Sequence, residues 1–441
     1  MFKNLFKSKE EKIIHQWFKY LFALFIILIP WQVRWIFYDW RLDGQIWEYG
    51  RLGIYGSLII LLLAAVLFAY SHRKELHFSK NKLLYLVFAY SIIIPFFSAV
   101  PLVSFYWVLL VYIAVLFAYL SRFLQKKFIL NAILLSGLIQ GLVALQQFFS
   151  QQILANKWLG LAEHLPETLG TSVVLVNGDR ILRSYGSLPH PNILGGFLFV
   201  AIFVGIYLLL KFYKELEDSK WSKKFIRQNL LRYLFIVISL IITTYGLLAS
   251  FSRSALLALA VSMVSVLLIN IFQNKWRVVK VFLKYFVVLF VIFYSFNWMI
   301  PGAWQARWTI GNHLEAQSIT QRVDTFEQLK LDGPKEILFG QGLGMNTYDI
   351  WQQNPNQTVY NIQPIHDIFL LALAEIGLIG IIILIALVRL ILRKADKVDV
   401  LASSLLLGLI IIGIFDHYLW TSWTGWLLLT FGLVNLYKQK K

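Results

Sequence analysis

Long runs of apolar residues, separated by short polar or basic stretches, dominate the chain. A membrane-spanning helix needs about 20 mostly apolar residues, because each residue rises ~1.5 Å across a hydrocarbon core of about 30 Å. Twelve runs are compatible with this length, at about residues 17–36, 52–70, 83–100, 103–120, 128–149, 193–211, 232–250, 254–272, 280–300, 367–388, 399–416 and 420–437. The pattern predicts an all-α, polytopic membrane protein with about 12 transmembrane helices.

Two polar segments, at about 150–192 and 301–366, are longer than the other connections. The second is too long for a plain connector, so we expect it to be partly folded. Its stretch Ser318–Leu331 has apolar residues at helical spacing, which predicts an amphipathic helix on the membrane surface. Gly333 and Pro334 end that helix, and the following GQGLGMN predicts a tight, close-packed turn. We therefore expect a long, partly helical exterior loop before the tenth transmembrane helix.

The chain shows no sign of a separate soluble domain, so we divide it at the end of the first long loop. Residues 1–192 hold the N-terminal transmembrane helices and that loop. Residues 193–441 hold the second transmembrane region, including the exterior loop 301–366.

Composition and charge support a membrane protein. The chain is 59% hydrophobic and 15% charged, with a mean hydropathy of +0.66. A net charge of +18 could indicate a nucleic-acid partner, but most of the 41 Lys and Arg residues fall in every second loop. This is the positive-inside pattern, which predicts cytoplasmic N- and C-termini and places both long polar segments outside. It argues against a nucleic-acid partner.

The motifs of metal sites are missing from the sequence. No two histidines have the H-x-x-x-H spacing of a helical zinc site, and no D-x-D pair is present to bind a nucleotide-sugar metal ion. We expect no catalytic metal.

Two polar stretches near predicted helix ends contain arginine. RSYGSLPHPNILGGF, from Arg183 to Phe197, is either a helix start with Asn192 as a local cap or part of a binding site. In SFSRSALLALA, Arg253 lies between two long apolar runs. A charge so close to hydrocarbon requires a partner or a water-lined site, unless its side chain reaches the exterior headgroups.

A histidine and an aromatic stretch mark two further helix ends. His366 lies at the mouth of an apolar helix, where it could cap the helix, bind a headgroup or take part in chemistry. Glu375 follows nine residues later, but nine helical residues rotate about 900° and descend ~13.5 Å, so the two side chains face opposite sides. We assign Glu375 to packing or an interhelical hydrogen bond. FDHYLWTSWTGW is typical of an interfacial aromatic belt and could also bind a sugar face.

The order of these stretches resembles the O-antigen ligase and O-antigen polymerase superfamily. RSYGSLPHPN precedes a membrane helix, a short SRSA turn follows, R-x-D-x-F comes before a G-x-G-x-G run, and HDIFLLALAEIGLIG closes the series. The resemblance covers about residues 180–385, and the N-terminal half agrees only in hydropathy. Family members often have asparagine after the histidine, where this chain has Asp367, a change that bears on how the imidazole is oriented.

The resemblance implies a metal-independent, inverting glycosyltransferase without a cofactor, on the exterior (periplasmic) face of the bacterial plasma (inner) membrane. The donor would be a polyprenyl-diphosphate-linked glycan, and the acceptor a hydroxyl of a lipid, glycan or protein. His366 would be the base, and arginines would bind the pyrophosphate through their planar fork. The implied catalytic residues are His366, Arg183 and Arg253, and the implied substrate-binding residues are Arg322, His190, Asn192 and Asp367.

Other functions remain open at this point. A polymerase acting on lipid-linked repeat units shares the chemistry of a ligase, and the long loop before His366 favours the ligase. A transporter of an anionic lipid or glycan would also need exterior arginines, but the apolar runs lack the paired helix breaks of a midplane site. In the shape-and-division peptidoglycan polymerases an exterior acidic residue is central, and Asp416 is the only candidate for that role.

Overall fold

The computed structural model describes residues 9–72, 81–309, 320, 329, 331, 333–393 and 399–435. The helices are α1 (Lys9–Leu28), α2 (Gly56–Ser71), α3 (Lys82–Ile93), α4 (Pro101–Ser121), α5 (Lys126–Ser150), α6 (Pro191–Asp218), α7 (Lys223–Ala249), α8 (Arg253–Phe272), α9 (Trp276–Met299), α10 (Ala303–Trp308), α11 (Pro334–Phe339), α12 (Asn346–Gln353), α13 (Ile368–Arg393), α14 (Val400–Phe415), α15 (Tyr418–Thr421) and α16 (Trp423–Asn435). The strands are β1 (Arg34–Leu42), β2 (Gln45–Tyr55), β3 (Val173–Val176) and β4 (Asp179–Leu182), and short 3₁₀ turns cover Ile94–Phe97 and Val359–Asn361.

The helices confirm an all-α polytopic membrane protein. Within the described residues, seven helices are long and apolar enough to cross a membrane, namely α4, α5, α6, α7, α8, α9 and α13. Shorter apolar helices cover Gly56–Ser71, Lys82–Phe97, Val400–Phe415 and Trp423–Leu433. Each of the twelve predicted runs overlaps a described helix, while the count of 12 transmembrane helices stays a prediction.

The first predicted run is wrong at its C-terminal end. α1 stops at Leu28, and β1 and β2 then form an antiparallel hairpin. Its turn is Asp43–Gly44, with both residues at positive φ, as a tight hairpin turn requires. The hairpin supports the second long loop, because Trp47 Nε1 donates to Thr347 Oγ1 at 2.9 Å.

Helix α6 is the centre of the bundle. It packs against α5, α7 and α8, and almost every residue in its first five turns is buried. Small residues allow close approach of neighbouring helices where lipid provides no hydrophobic driving force. A Cβ added to Gly137 of α5 would lie 2.4 Å from Cβ of Ala201. The N-terminal end of α6 is therefore held firmly by its neighbours.

Helix α13 is interrupted at Gly377, which has φ 61° and ψ −179°. The run GQGLGMN packs against this break: the backbone N–H of Gln341 donates to the carbonyl of Ala374 at 2.8 Å, and that of Gly342 to the carbonyl of Glu375 at 2.9 Å. A Cβ at Gly340 would lie 2.5 Å from the backbone of Glu375, and the φ of Gly340 is 75°. The run forms the tight, close-packed turn that its glycines predict.

The second long loop is partly helical, since α10, α11 and α12 lie within 301–366. The predicted amphipathic helix Ser318–Leu331 lies outside the described residues except for Thr320, Leu329 and Leu331, and so does Arg322. The division of the chain at residue 192 stays a prediction.

Candidate active site

The N-terminus of α6 is organised by His190. Nδ1 of His190 accepts a hydrogen bond from the backbone N–H of Asn192 at 3.1 Å, so His190, and not Asn192, caps the helix. Because Nδ1 accepts, the proton is assigned to Nε2, which lies 3.2 Å from Ser172 Oγ. Burial, and after it the positive charge of Arg183, lower the pKa of His190 to about 3. His190 is thus a neutral residue that orients the first turn of α6.

Asn192 joins a buried arginine to a buried carboxylate. Arg183 follows β4, is 5% exposed, and donates from Nε to the carbonyl of Ser250 at 2.9 Å and from Nη2 to Asn192 Oδ1 at 2.6 Å. Asn192 Nδ2 donates to Asp416 Oδ2 at 2.6 Å. A buried charge requires such partners, and here they fix the guanidinium beside the start of α6.

Arg253 and Arg307 lie next to Arg183 around the turn between α7 and α8. Arg307, in α10, is 6% exposed and donates from Nε to the carbonyl of Phe251 at 3.2 Å. Arg253 Nη1 donates to the carbonyl of Arg307 at 3.3 Å. Because the adjacent carbonyls of Ser250 and Phe251 accept from Arg183 and Arg307, one turn of backbone brings three arginines together.

Sequence reasoning missed Arg307. Its positive charge also contributes to the lowered pKa of His190, which places it within electrostatic reach of the first turn of α6. The only signal in the sequence is an arginine between two tryptophans, in W-Q-A-R-W, early in the second long loop.

His366 lies against a second histidine. The rings of His366 and His417 are 5.1 Å apart between centroids, at 77° to each other. His417 Nδ1 lies 2.7 Å from Thr421 Oγ1, which orients the ring of His417. Asp416 precedes His417 and is hydrogen-bonded to Asn192, so the histidine pair adjoins the arginine cluster. His417 was not identified from the sequence, where it belonged to the aromatic stretch.

Asp367 caps a helix in the structure. Its Oδ1 accepts from the backbone N–H groups of Phe369 at 2.8 Å and Leu370 at 3.0 Å, so it caps α13. The carboxylate serves the helix start, and the substrate-binding role of Asp367 stays a prediction. Arg322 lies outside the described residues, and its role stays a prediction.

Glu375 makes the interhelical hydrogen bond that its position suggested. Its Oε2 accepts from Trp420 Nε1 at 2.8 Å, across the gap between α13 and α15.

In the part of the chain that the structure describes, no group of three or more His, Asp or Glu side chains could hold a metal ion, and independence from metal stays a prediction.

An apolar cavity of about 660 Å³ runs along one side of α13. Its lining begins at Phe369, one turn beyond His366, and continues through Leu378 and Ile385 to Leu392. The lining residues that the structure describes all belong to α13, and the cavity follows this helix from its first turn towards its C-terminal end.

The apolar helical bundle is that of a polytopic membrane protein, and it carries clustered arginines and a histidine pair at one end. The family described as O-antigen ligase matches residues 238–385, which confirms the resemblance to the O-antigen ligase superfamily. The match includes Arg253, Arg307 and His366 and starts after Arg183, although the resemblance seen in the sequence begins at about residue 180. No curated protein and no solved structure matches the chain. The match supports a glycosyltransferase-type enzyme with a ligase-like role in membrane glycan transfer.

Proposed function

We propose that the protein transfers a glycan from a polyprenyl-diphosphate carrier to an acceptor hydroxyl, as a metal-independent, inverting glycosyltransferase on the exterior face of the bacterial plasma membrane. The observation that carries the proposal is the meeting of Arg183, Arg253 and Arg307 at one backbone turn. Arg183 is joined through Asn192 to Asp416, whose neighbour His417 contacts the ring of His366. A diphosphate leaving group requires fixed positive charge, and guanidinium groups suit its oxygens. The acceptor hydroxyl requires a base within reach, and His366 supplies one.

The proposed reaction is a single displacement. The acceptor oxygen attacks the anomeric carbon and its proton passes to the imidazole of His366. The bond between that carbon and the diphosphate oxygen breaks, and the electron pair leaves with the polyprenyl diphosphate. The arginines stabilise the charge that develops on the leaving group, and they are held ready by backbone carbonyls before the reaction begins. Attack opposite the leaving group inverts the anomeric centre.

The cavity along α13 suits the lipid part of the donor. It is apolar and follows α13 from Phe369, three residues after His366, and an isoprenoid chain would lie there while its diphosphate contacts the arginines. Lipid-linked glycan and membrane lipids are thus the expected partners, with a lipid, glycan or protein as acceptor.

The test is incubation of the purified protein in detergent with a lipid-linked oligosaccharide and candidate acceptors. His366→Ala should reduce transfer by about 10² to 10⁴-fold, because general base catalysis contributes about that much. His164→Ala is the matched control, since His164 lies in the first long loop and stacks on Tyr185. Retained transfer by His366→Ala would remove His366 as the base.

The products of the same incubation separate the alternatives. A single transferred glycan indicates a ligase, and a ladder indicates a polymerase of lipid-linked repeat units. If the wild-type protein consumes no donor in detergent, where no second compartment exists, glycan transfer is wrong and an anionic lipid or glycan transporter takes its place.

A further inference from the structure

Glu375 is a buried carboxyl group between two parts of the candidate site. It is 2% exposed and lies in the first half of α13, before the break at Gly377. Its Oε2 accepts from Trp420 Nε1 at 2.8 Å, and its Oε1 accepts from the backbone N–H of Asn346 at 3.4 Å. An ionisable residue within a membrane helix is costly, so its partners indicate what it is there to hold.

The Asn346 side leads to His366. Asn346 is buried, and its Oδ1 accepts from the backbone N–H of Ile365 at 3.1 Å. Ile365 is fully buried and directly precedes His366. One oxygen of Glu375 therefore holds the residue that fixes the backbone just before His366.

The Trp420 side leads to His417. Trp420 and His417 belong to the same short turn, in which the backbone N–H of Trp420 donates to the carbonyl of His417 at 2.9 Å. The other oxygen of Glu375 therefore fixes the turn that presents His417.

The backbone of Glu375 adds a third connection. The break at Gly377 leaves the carbonyl of Glu375 to accept from the N–H of Gly342, four residues before Asn346. Side chain and backbone of one residue thus tie the glycine-rich turn, the start of α13 and the α15 turn together.

We propose that Glu375 is a positioning residue that sets His366 against His417. Helical geometry keeps the carboxyl of Glu375 away from the ring of His366. Glu375 acts on the position of His366 through Asn346 and Ile365, and on the position of His417 through Trp420. This inference rests on the proposed function, since its readout is glycan transfer.

The test compares kcat and KM for the lipid-linked donor in Glu375→Gln, Trp420→Phe and the double variant. In Glu375→Gln, the NH₂ group of the amide faces one of the two N–H donors, so that hydrogen bond is lost. In Trp420→Phe, the phenyl ring has no N–H, so the hydrogen bond from the indole is lost. We expect kcat to fall by up to about 100-fold, the effect of a displacement of about 1 Å at a catalytic group. KM should change less than about twofold, because the arginines that bind the diphosphate keep their carbonyl partners. The double variant should lose less than the product of the two single losses, because the two substituted side chains are partners in one hydrogen bond.

The controls separate positioning from folding and from the proposed function. Glu163→Gln, at an exposed position of the first long loop, should match the wild type. A general structural role would instead lower the thermal midpoint, raise KM together with the fall in kcat, and make the two substitutions additive. Those results, or wild-type kcat in both single variants, would overturn the inference. If Glu375→Gln does not fold, Trp420→Phe alone decides by the same split between kcat and KM. Failure of the wild-type protein to transfer glycan would instead refute the proposed function.

Discussion

The proposed function requires the arginines of the candidate site to contact the protein backbone and an anion at the same time. The Nε–H of Arg183 donates to the backbone carbonyl of Ser250, and the Nε–H of Arg307 donates to that of Phe251 in the same turn. A guanidinium has further donors on its terminal nitrogens, so it can be fixed to the protein and still bind an anion. Lysine has a single charged nitrogen at its tip and cannot do both in a planar arrangement.

This leads to a prediction for the arginines. Arg307→Lys and Arg183→Lys should each lower kcat/KM for transfer by about 10 to 100-fold, the worth of a hydrogen bond to a charged group. The control is Arg41→Lys in the β1–β2 hairpin, where the side chain is 54% exposed and pairs with Asp39. An exposed pair contributes little, so this variant should stay within about threefold of the wild type. Wild-type activity in Arg307→Lys would show that Arg307 has no part in binding the diphosphate.

The sequence identified those site residues that are marked by their own neighbours in the chain. Arg253 was visible because a charge between two apolar runs is costly wherever the chain folds, and His366 because it opens an apolar helix. Arg307 and His417 could not be found in this way, because their importance comes from contacts with loops far away in the chain. The role of Asp367 as a cap follows from its position just before a helix, where a carboxylate can accept from the free N–H groups of the first turn.

At the scale of elements, the break in α13 is the feature that shapes the site. An interrupted helix leaves backbone carbonyls without partners, and in a membrane each must be satisfied by the protein. Here the glycine-rich turn supplies the donors, Gln341 and Gly342. The two segments can approach only because Gly340 and Gly377 have no side chain and adopt positive φ.

We therefore expect Gly377→Ala to destabilise the protein. The substitution forces an alanine to φ 61° and places its Cβ 2.5 Å from the backbone of Leu338. The strain of such a backbone is about 1–3 kcal/mol, and the overlap adds to it. Gly44→Ala is the control, since Gly44 has φ 74° but a Cβ there would meet nothing within 4 Å. The thermal midpoint in detergent should fall further in Gly377→Ala than in Gly44→Ala, and equal midpoints would contradict the account of the break.

The fold was predictable for the segments that cross the hydrocarbon core of the membrane. A stretch long and apolar enough to cross a membrane folds as a helix because its backbone has no other partners there, so every predicted run overlaps a helix. The β1–β2 hairpin was missed because Trp35, Ile36 and Phe37 continue the apolar run of α1, although Asp43–Gly44 was an available turn signal. The break at Gly377 could not be foreseen, because it depends on donors from a distant loop.

At the scale of the whole molecule, the two ends of the bundle differ in chemistry. One end carries the hairpins, the glycine-rich turn and the arginine–histidine site. At the connections α6–α7 and α8–α9, basic side chains pair with acidic ones on α6, as in Arg232 with Glu215 and Arg277 with Glu217. The positive-inside pattern predicts that these basic connections are cytoplasmic and that the site faces the exterior.

Cysteine labelling tests this orientation directly. The chain has no cysteine, so a single introduced thiol gives a signal without background. Asn356→Cys lies at an exposed position between α12 and the following 3₁₀ turn, and Lys220→Cys at an exposed position between α6 and α7. A membrane-impermeant maleimide added to intact cells should label the Asn356→Cys variant and leave the Lys220→Cys variant unlabelled until the membrane is opened. The reverse result would put the arginine–histidine site on the cytoplasmic face, where a transfer reaction on an exterior glycan could not take place.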